Sequence, residues 1–322
     1  MNDRNRLAAQ ILCGVICAAA LPSLAQPYPA RPIRFITVGA DDAMPRLVAQ
    51  ELAAPLGQQV YVEDHPGASG TIGADVAARA APDGYSFMVA TTTHMVTPHF
   101  YKLSYDFQRD FEPVTLMATS PFVLLAHPAL PVRSLQDLIK LARVNPGKLN
   151  YSATATGSTT MLSCELFKAA TGIDIVHVPY KSVGAALVDA LAGQVPLTMS
   201  VAASSLVQIK AGRLRALAVT TPQRSAVMPD VPTFHEQGVT NVVMPAWFGL
   251  VAPAKTPVAV LNRMNSEVVK ILRHAQSRER ILSFALEPVG NTREEFASHV
   301  RADMARWTGA VQAAKLDTAL KP

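Results

Sequence analysis

Short apolar strands alternate with amphipathic helical segments along most of this chain, and that alternation limits the fold more than any other feature. Ile33-Arg34-Phe35-Ile36-Thr37, bounded by Pro32 and Gly39, predicts a buried strand. From Arg46 to Leu56 the apolar residues Leu47, Val48, Leu52 and Leu56 recur near one helical face, and Pro45 suits the first turn. Strands over 59–63 and 85–90 flank a small-residue helix over 71–81. After Pro113 the pattern resumes. Strands over 123–126, 149–152, 175–178, 197–200 and 214–220 are separated by helices over 135–144, 159–170 and 185–192. Ser134 is placed to cap one of these, and Asn145-Pro146-Gly147 to stop it. An extended segment over 247–252 precedes helices over 257–273, 278–284 and 293–314. Such alternation builds βαβ units around mostly parallel sheets. The chain reads as α/β in two blocks, with crossings near residues 119–125 and 245–250 and the tail helices packed on the first block.

The N-terminus has a different character. Arg4 and Arg6 lead into an apolar run from Leu7 to Leu21, and Ser23-Leu24-Ala25 offers small residues before a cut ahead of Gln26. That grammar predicts a secretory signal over 1–25 and a periplasmic mature protein. The competing reading, a membrane anchor, is weaker because Gln10 and Pro22 leave less than the roughly 20 clean apolar residues of a spanning helix. Cys13 and Cys17 fall inside the signal, leaving Cys164 alone in the mature chain. No intrachain disulfide is then possible, and stability rests on core burial. Cys164 sits in the helical, apolar context Met161-Leu162-Ser163-Cys164-Glu165-Leu166-Phe167, which favours a packed small hydrophobe over a nucleophile.

Lys and Arg number 29 against 24 Asp and Glu, spread along the chain without basic runs or interleaved aromatics, so nucleic acid is a poor candidate partner and none is expected. No Gly-x-Ser-x-Gly elbow, phosphate loop, dinucleotide fingerprint or His-Glu-x-x-His spacing occurs. His94 and His99 have no accompanying carboxylate cluster, so neither a metal nor a cofactor is expected. Ser158 and His177 form no recognisable catalytic pair, and no enzymatic activity is expected.

Several strings carry a family likeness. They include Tyr28-Pro29-Ala30-Arg31-Pro32-Ile33-Arg34, Val62-Glu63-Asp64-His65-Pro66-Gly67-Ala68-Ser69-Gly70-Thr71-Ile72-Gly73 and Ala81-Pro82-Asp83-Gly84-Tyr85. Further on come His177-Val178-Pro179-Tyr180-Lys181, the run from Ile209 to Ala218, Pro229-Asp230-Val231-Pro232-Thr233 and Trp247-Phe248-Gly249-Leu250. In this order the chain resembles the Bug family, the extracytoplasmic solute-binding proteins of tripartite tricarboxylate transporters, from Tyr28 to about Trp307. The resemblance implies a two-lobed periplasmic binding protein fold, with lobe 1 formed by 26–121 and 247–322, lobe 2 by 122–246, and the ligand cleft between them. It also implies a small carboxylate ligand, a monomer, and membrane permease subunits as partners. The ligand would be held by loop N–H groups and hydroxyls at helix N-termini, which carry unpaired donors and partial positive charge.

Carried onto this sequence, the likeness nominates three loops. The first holds Asp42, but it is shorter than the family's by roughly four residues and lacks its Pro- and Gly-rich element. Asp41 adds a charge that would repel an anion, so this loop implies either a changed ligand or a lost site. The second supplies Thr92, Thr93, His94 and Thr97, with Thr97 in place of a family Asn. The third supplies Thr156, Gly157, Ser158, Thr159 and Thr160, a glycine-hydroxyl run at a helix start. Capping accounts for one of those hydroxyls, not four. Tyr180 and Ser200 complete the candidates, and Lys181 is equally a lining residue or a solvated charge. Ser200 stands where the family often carries an Asp associated with amine-bearing ligands, which argues for an anionic or neutral ligand. Phe122, Trp247 and Phe248 either border the cleft or pack at the crossing. A sensory receptor reporting to a membrane sensor would have the same binding domain.

Overall fold

The computed structural model describes residues 28–39, 42–155 and 157–313. The expected signal, Asp41 and Thr156 lie outside these residues. Among the described residues eleven strands form two sheets, named here in chain order. The first sheet holds β1 (Ile33–Thr37), β2 (Val60–Asp64), β3 (Ser86–Thr91), β4 (Phe111–Ser120), β10 (Ala246–Pro253) and β11 (Glu287–Pro288) in the order β11-β4-β10-β3-β1-β2. The second holds β5 (Phe122–Ala126), β6 (Leu149–Thr154), β7 (Ile175–Tyr180), β8 (Leu197–Val201) and β9 (Arg215–Val219) in the order β7-β6-β8-β5-β9.

Parallel pairing is confined to β2-β1-β3 and β7-β6-β8, where helices carry the crossovers. β4, β10, β5 and β9, at and near the crossings, pair antiparallel, so each sheet is mixed rather than mostly parallel. Antiparallel strands need no helical return, which suits segments that leave one sheet for the other. The first crossing is abrupt: Pro121 alone separates β4 from β5. β4 itself escapes a strand reading because it contains Pro113, and Pro113 falls at a register shift against Val251, where a ladder tolerates it.

The helices follow their apolar faces. α1 (Ala43–Leu56) buries Met44, Leu47, Val48, Leu52 and Leu56, and Gly57 closes it in the left-handed region at φ 66. α2 (Thr71–Ala78), α3 (Thr93–Val96) and α4 (Phe107–Asp110) complete the first stretch. In α5 (Leu135–Val144) Ser134 and Asp137 form a reciprocal capping box. α6 (Thr159–Thr171), α7 (Val183–Leu191) and α8 (Ala202–Lys210) flank the second sheet. α9 (Val258–Arg273) and α10 (Ala275–Ser283) return to the first sheet, where α9 packs on α1 and β4.

α11 (Arg293–Ala313) packs on β4, on α3 and on α6, so it touches both blocks. Its anchor is Asp303, 1% exposed, whose Oδ2 accepts the Nε1–H of Trp247 at 2.7 Å and of Trp307 at 3.1 Å. Arg306 pairs with the other oxygen at 2.7 Å. Burial pushes this carboxyl up, while the Trp247 bond and Arg306 draw it back. Trp247 meets Phe296 edge to face at 5.7 Å. The backbone of β10 passes so close beneath that helix that a Cβ built on Gly249 would lie 2.1 Å from the Phe296 ring. Phe122, Trp247 and Phe248 are all buried and pack at the crossing.

Two outcomes follow from this anchor. Asp303→Ala strands two buried indole donors and should lower the unfolding free energy by about 3 kcal/mol or more in urea titrations. Asp303→Asn, which keeps an acceptor, should cost less than half as much. Gly249→Ala should destabilise by about 2 kcal/mol or more through overpacking. Phe296→Leu in that background should recover part of the loss, which a double-mutant cycle measures.

Candidate functional site

The loops nominated by the sequence leave the ends of β1, β3 and β6, and the structure gives each a different task. After β1, Asp42 precedes α1 without capping it. Its Oδ2 instead accepts the Arg46 Nε–H at 2.6 Å, one turn on, so the Asp42 charge is met by a cation. Next to this loop, Gly67 to Gly70 run through four successive positive φ values of 122, 45, 55 and 83. That conformation brings Gly70 against Val38 and the His94 ring, where an added Cβ would lie 3.3 and 3.5 Å away.

After β3, His94 Nδ1 lies 3.0 Å from the Thr91 N, 3.1 Å from its carbonyl oxygen and 3.3 Å from its hydroxyl. Nε2 faces the Gly70 backbone without reaching hydrogen-bond geometry. Complete burial pushes the imidazole down to about 4, so His94 is neutral at physiological pH and brings no positive charge to an anion. Thr92 is buried, its hydroxyl accepting the Trp247 N–H at 2.8 Å and its own N–H donating to the Trp247 carbonyl at 3.3 Å. Thr93 is half-buried at the start of α3. Thr97 is buried with its hydroxyl unpartnered among the described residues, facing the similarly unpartnered Tyr105 hydroxyl.

After β6, the hydroxyls at the start of α6 divide their work. Ser158 caps the helix, its Oγ accepting the Met161 N–H at 3.2 Å. Thr160 Oγ1 accepts the Thr154 N–H at 3.2 Å and lies 2.9 Å from Thr154 Oγ1 and 3.2 Å from Ser158 Oγ. The Thr159 hydroxyl and the N–H groups of Thr159 and Thr160 meet no partner among the described residues. All three residues are at most 7% exposed. Buried N–H groups at a helix start, backed by its dipole, suit a negative charge. Gly157 precedes them at φ 83 and takes the Phe100 ring on its Cα: a Cβ there would lie 2.7 Å from the ring.

The second and third loops therefore meet through Phe100 and Gly157. The remaining candidates are held within their own block. The Tyr180 hydroxyl donates to Asp189 Oδ2 at 2.6 Å, and Ser200 is buried in β8 with its hydroxyl donating to the Val201 carbonyl. Lys181 is exposed. Cys164 is fully buried and burial drives its thiol well up, as a packed side chain requires. His177 stacks on Tyr151 at 5.1 Å while Ser158 is engaged with Met161 and Thr160, so the two do not form a dyad. Among the described residues no group of three or more His, Cys, Asp or Glu could hold a metal ion, and no helix is long and apolar enough to cross a membrane. Phe100 and Thr154 touch the candidate residues Gly157 and Thr160, contacts that the sequence does not reveal. A signal for the first existed in Gly157, since a glycine between hydroxyls marks a close approach.

Known proteins resemble this chain over most of its length. Residues 44–316 match the model of the tripartite tricarboxylate transporter family receptor. Protein BugT of Bordetella pertussis is 33% identical over 97% of this chain and 98% of its own length. The solved structure of R. palustris Rpa4515 with adipate is 34% identical and superposes with a TM-score of 0.84 over 89% of this chain and 98% of that one. MatC from Rhodopseudomonas palustris with bound malate is 29% identical, with a TM-score of 0.79 over 88% of this chain and all of the other. The extent of these matches, over a two-sheet fold of periplasmic binding type, establishes that the chain belongs to the Bug family of tripartite tricarboxylate transporter receptors.

Proposed function

We propose that this protein captures a small carboxylate outside the cytoplasm, between lobes formed by 26–121 with 247–322 and by 122–246, and delivers it to membrane permease subunits. The observation that carries the reading is the start of α6, where two buried main-chain N–H groups and the Thr159 hydroxyl face no described partner. Two relatives solved with adipate and malate hold diacids on the same fold, which supports the choice of ligand class. Neutral His94 and the Asp42–Arg46 pair fit an anion bound by dipoles rather than by a free cation. The pairing of Asp42 also relieves part of the repulsion that its carboxylate would exert on a bound acid.

Thermal unfolding against carboxylates of three to six carbons tests this. At least one acid, malate and adipate included, should raise the melting temperature with the concentration dependence of mass action. Thr159→Val should weaken that acid by about tenfold, the loss of one hydrogen bond to a charged group, while leaving the ligand-free melting temperature nearly unchanged. No stabilisation by any acid of the panel would remove the carboxylate reading.

A further inference from the structure

We propose that Phe100 is a specificity-determining residue of the site, one that limits the length of acid the lobes enclose; the inference rests on the carboxylate reading above. Phe100 belongs to the first block, where it ends the short helical turn Thr97–His99 directly after the candidate residues of α3. Its ring crosses to the second block and lies on Gly157, so near that Cγ, Cδ2 and Cβ all fall within 3.0 Å of a Cβ built there. Gly157 immediately precedes the cap of α6, whose Thr159 and Thr160 amides meet no partner among the described residues. The ring thus forms a wall beside the donors, contributed by the opposite lobe.

The ring packs against the hydrophobic core, and three features suit its Gly157 side to act as a selector. Phe100 is only half-buried, unlike the fully buried rings at Phe122, Trp247 and Phe296. The contact contains no hydrogen bond, so the ring can shift without stranding a polar group. The surface beneath it is a bare glycine Cα held at positive φ, a backbone state in which a side chain would be strained as well as blocked. An acid whose carboxylate sits on the α6 amides runs its carbon chain past this ring, and each added methylene must fit beside it. A methylene that does not fit is worth about 10- to 200-fold in discrimination.

The test is calorimetric titration of the full mature chain with succinate, glutarate and adipate, which differ only in methylene number. Wild type should bind the four-carbon acid more tightly than the six-carbon one. Phe100→Ala should move the succinate-to-adipate affinity ratio at least about tenfold toward adipate. Phe100→Leu should give an intermediate ratio, and it carries the test if the alanine variant does not fold. Equal weakening of all three acids, or ratios unchanged within about threefold in folded variants, would show a packing residue and overturn the inference while the carboxylate reading stands. A wild type that binds none of the three diacids also overturns it, and the wider acid panel then decides the carboxylate reading separately.

Discussion

A single buried carboxylate ties the C-terminal helix to the place where the chain returns from the second sheet to the first. Asp303 accepts from both indoles of the molecule, one on its own helix and one at the start of β10. An anion suits this task because each indole offers only a donor, and a carboxylate oxygen can receive both. The charge is tolerable in so dry a place because Arg306 reaches the second oxygen from the partly exposed side of α11. Trp247 then passes the constraint on: its backbone exchanges two hydrogen bonds with Thr92, the first candidate residue of the loop at α3. The geometry of that loop therefore depends on a helix far along the chain.

The electrostatics of the site follow a consistent plan. Beside the first loop, the Arg46 cation is already matched by Asp42. The candidate donors proposed above are main-chain amides and a hydroxyl, held by the capping of Ser158 and the ties of Thr160 to Thr154. Fixed neutral dipoles pay less desolvation than a buried cation and need no counter-charge when the ligand leaves. Their attraction for an anion grows as water is excluded, so lobe closure and ligand retention become one event. A receptor that must release its cargo to a membrane partner gains from such reversibility.

Local patterns were legible and long-range ones were not. Helix α5 matches its reading at both ends because Ser134 and Asn145-Pro146-Gly147 act within a turn of the helix itself. Strands β1 and β5 were readable from apolar runs, while β4 was hidden by Pro113 and α8 by its small, weakly patterned residues. At the site, the four neighbouring residues Gly157 to Thr160 look like one cradle in sequence. On a helix start, neighbours diverge by about 100°, so one hydroxyl caps, one bonds back to β6 and one is left over. Tyr180 has a similar history: its strand ends where α7 can offer Asp189, and the phenol turns to that carboxylate instead. The Phe100–Gly157 contact joins residues brought together only by tertiary structure, beyond the reach of any periodicity argument.

The two sides of the molecule differ in how they join the blocks, and the difference has a mechanical consequence. At one side lie the covalent crossings at Pro121 and before Ala246. There the Glu287 carboxylate also receives the Ser225 hydroxyl and the Ala226 N–H at 2.9 Å. β10 is paired on both edges and buried throughout, so it cannot absorb a rotation; the flanking residues must. At the site, the junction consists of a ring on a glycine and the packing of α11 on α6, with no hydrogen bond between these pairs among the described residues. Separating apolar surfaces costs about 25 cal/mol per Å² and leaves no donor stranded, whereas separating the Glu287 side would break charge-assisted bonds. Opening is therefore cheapest at the mouth and dearest at the hinge, the asymmetry that a hinged receptor needs to admit a solute without coming apart.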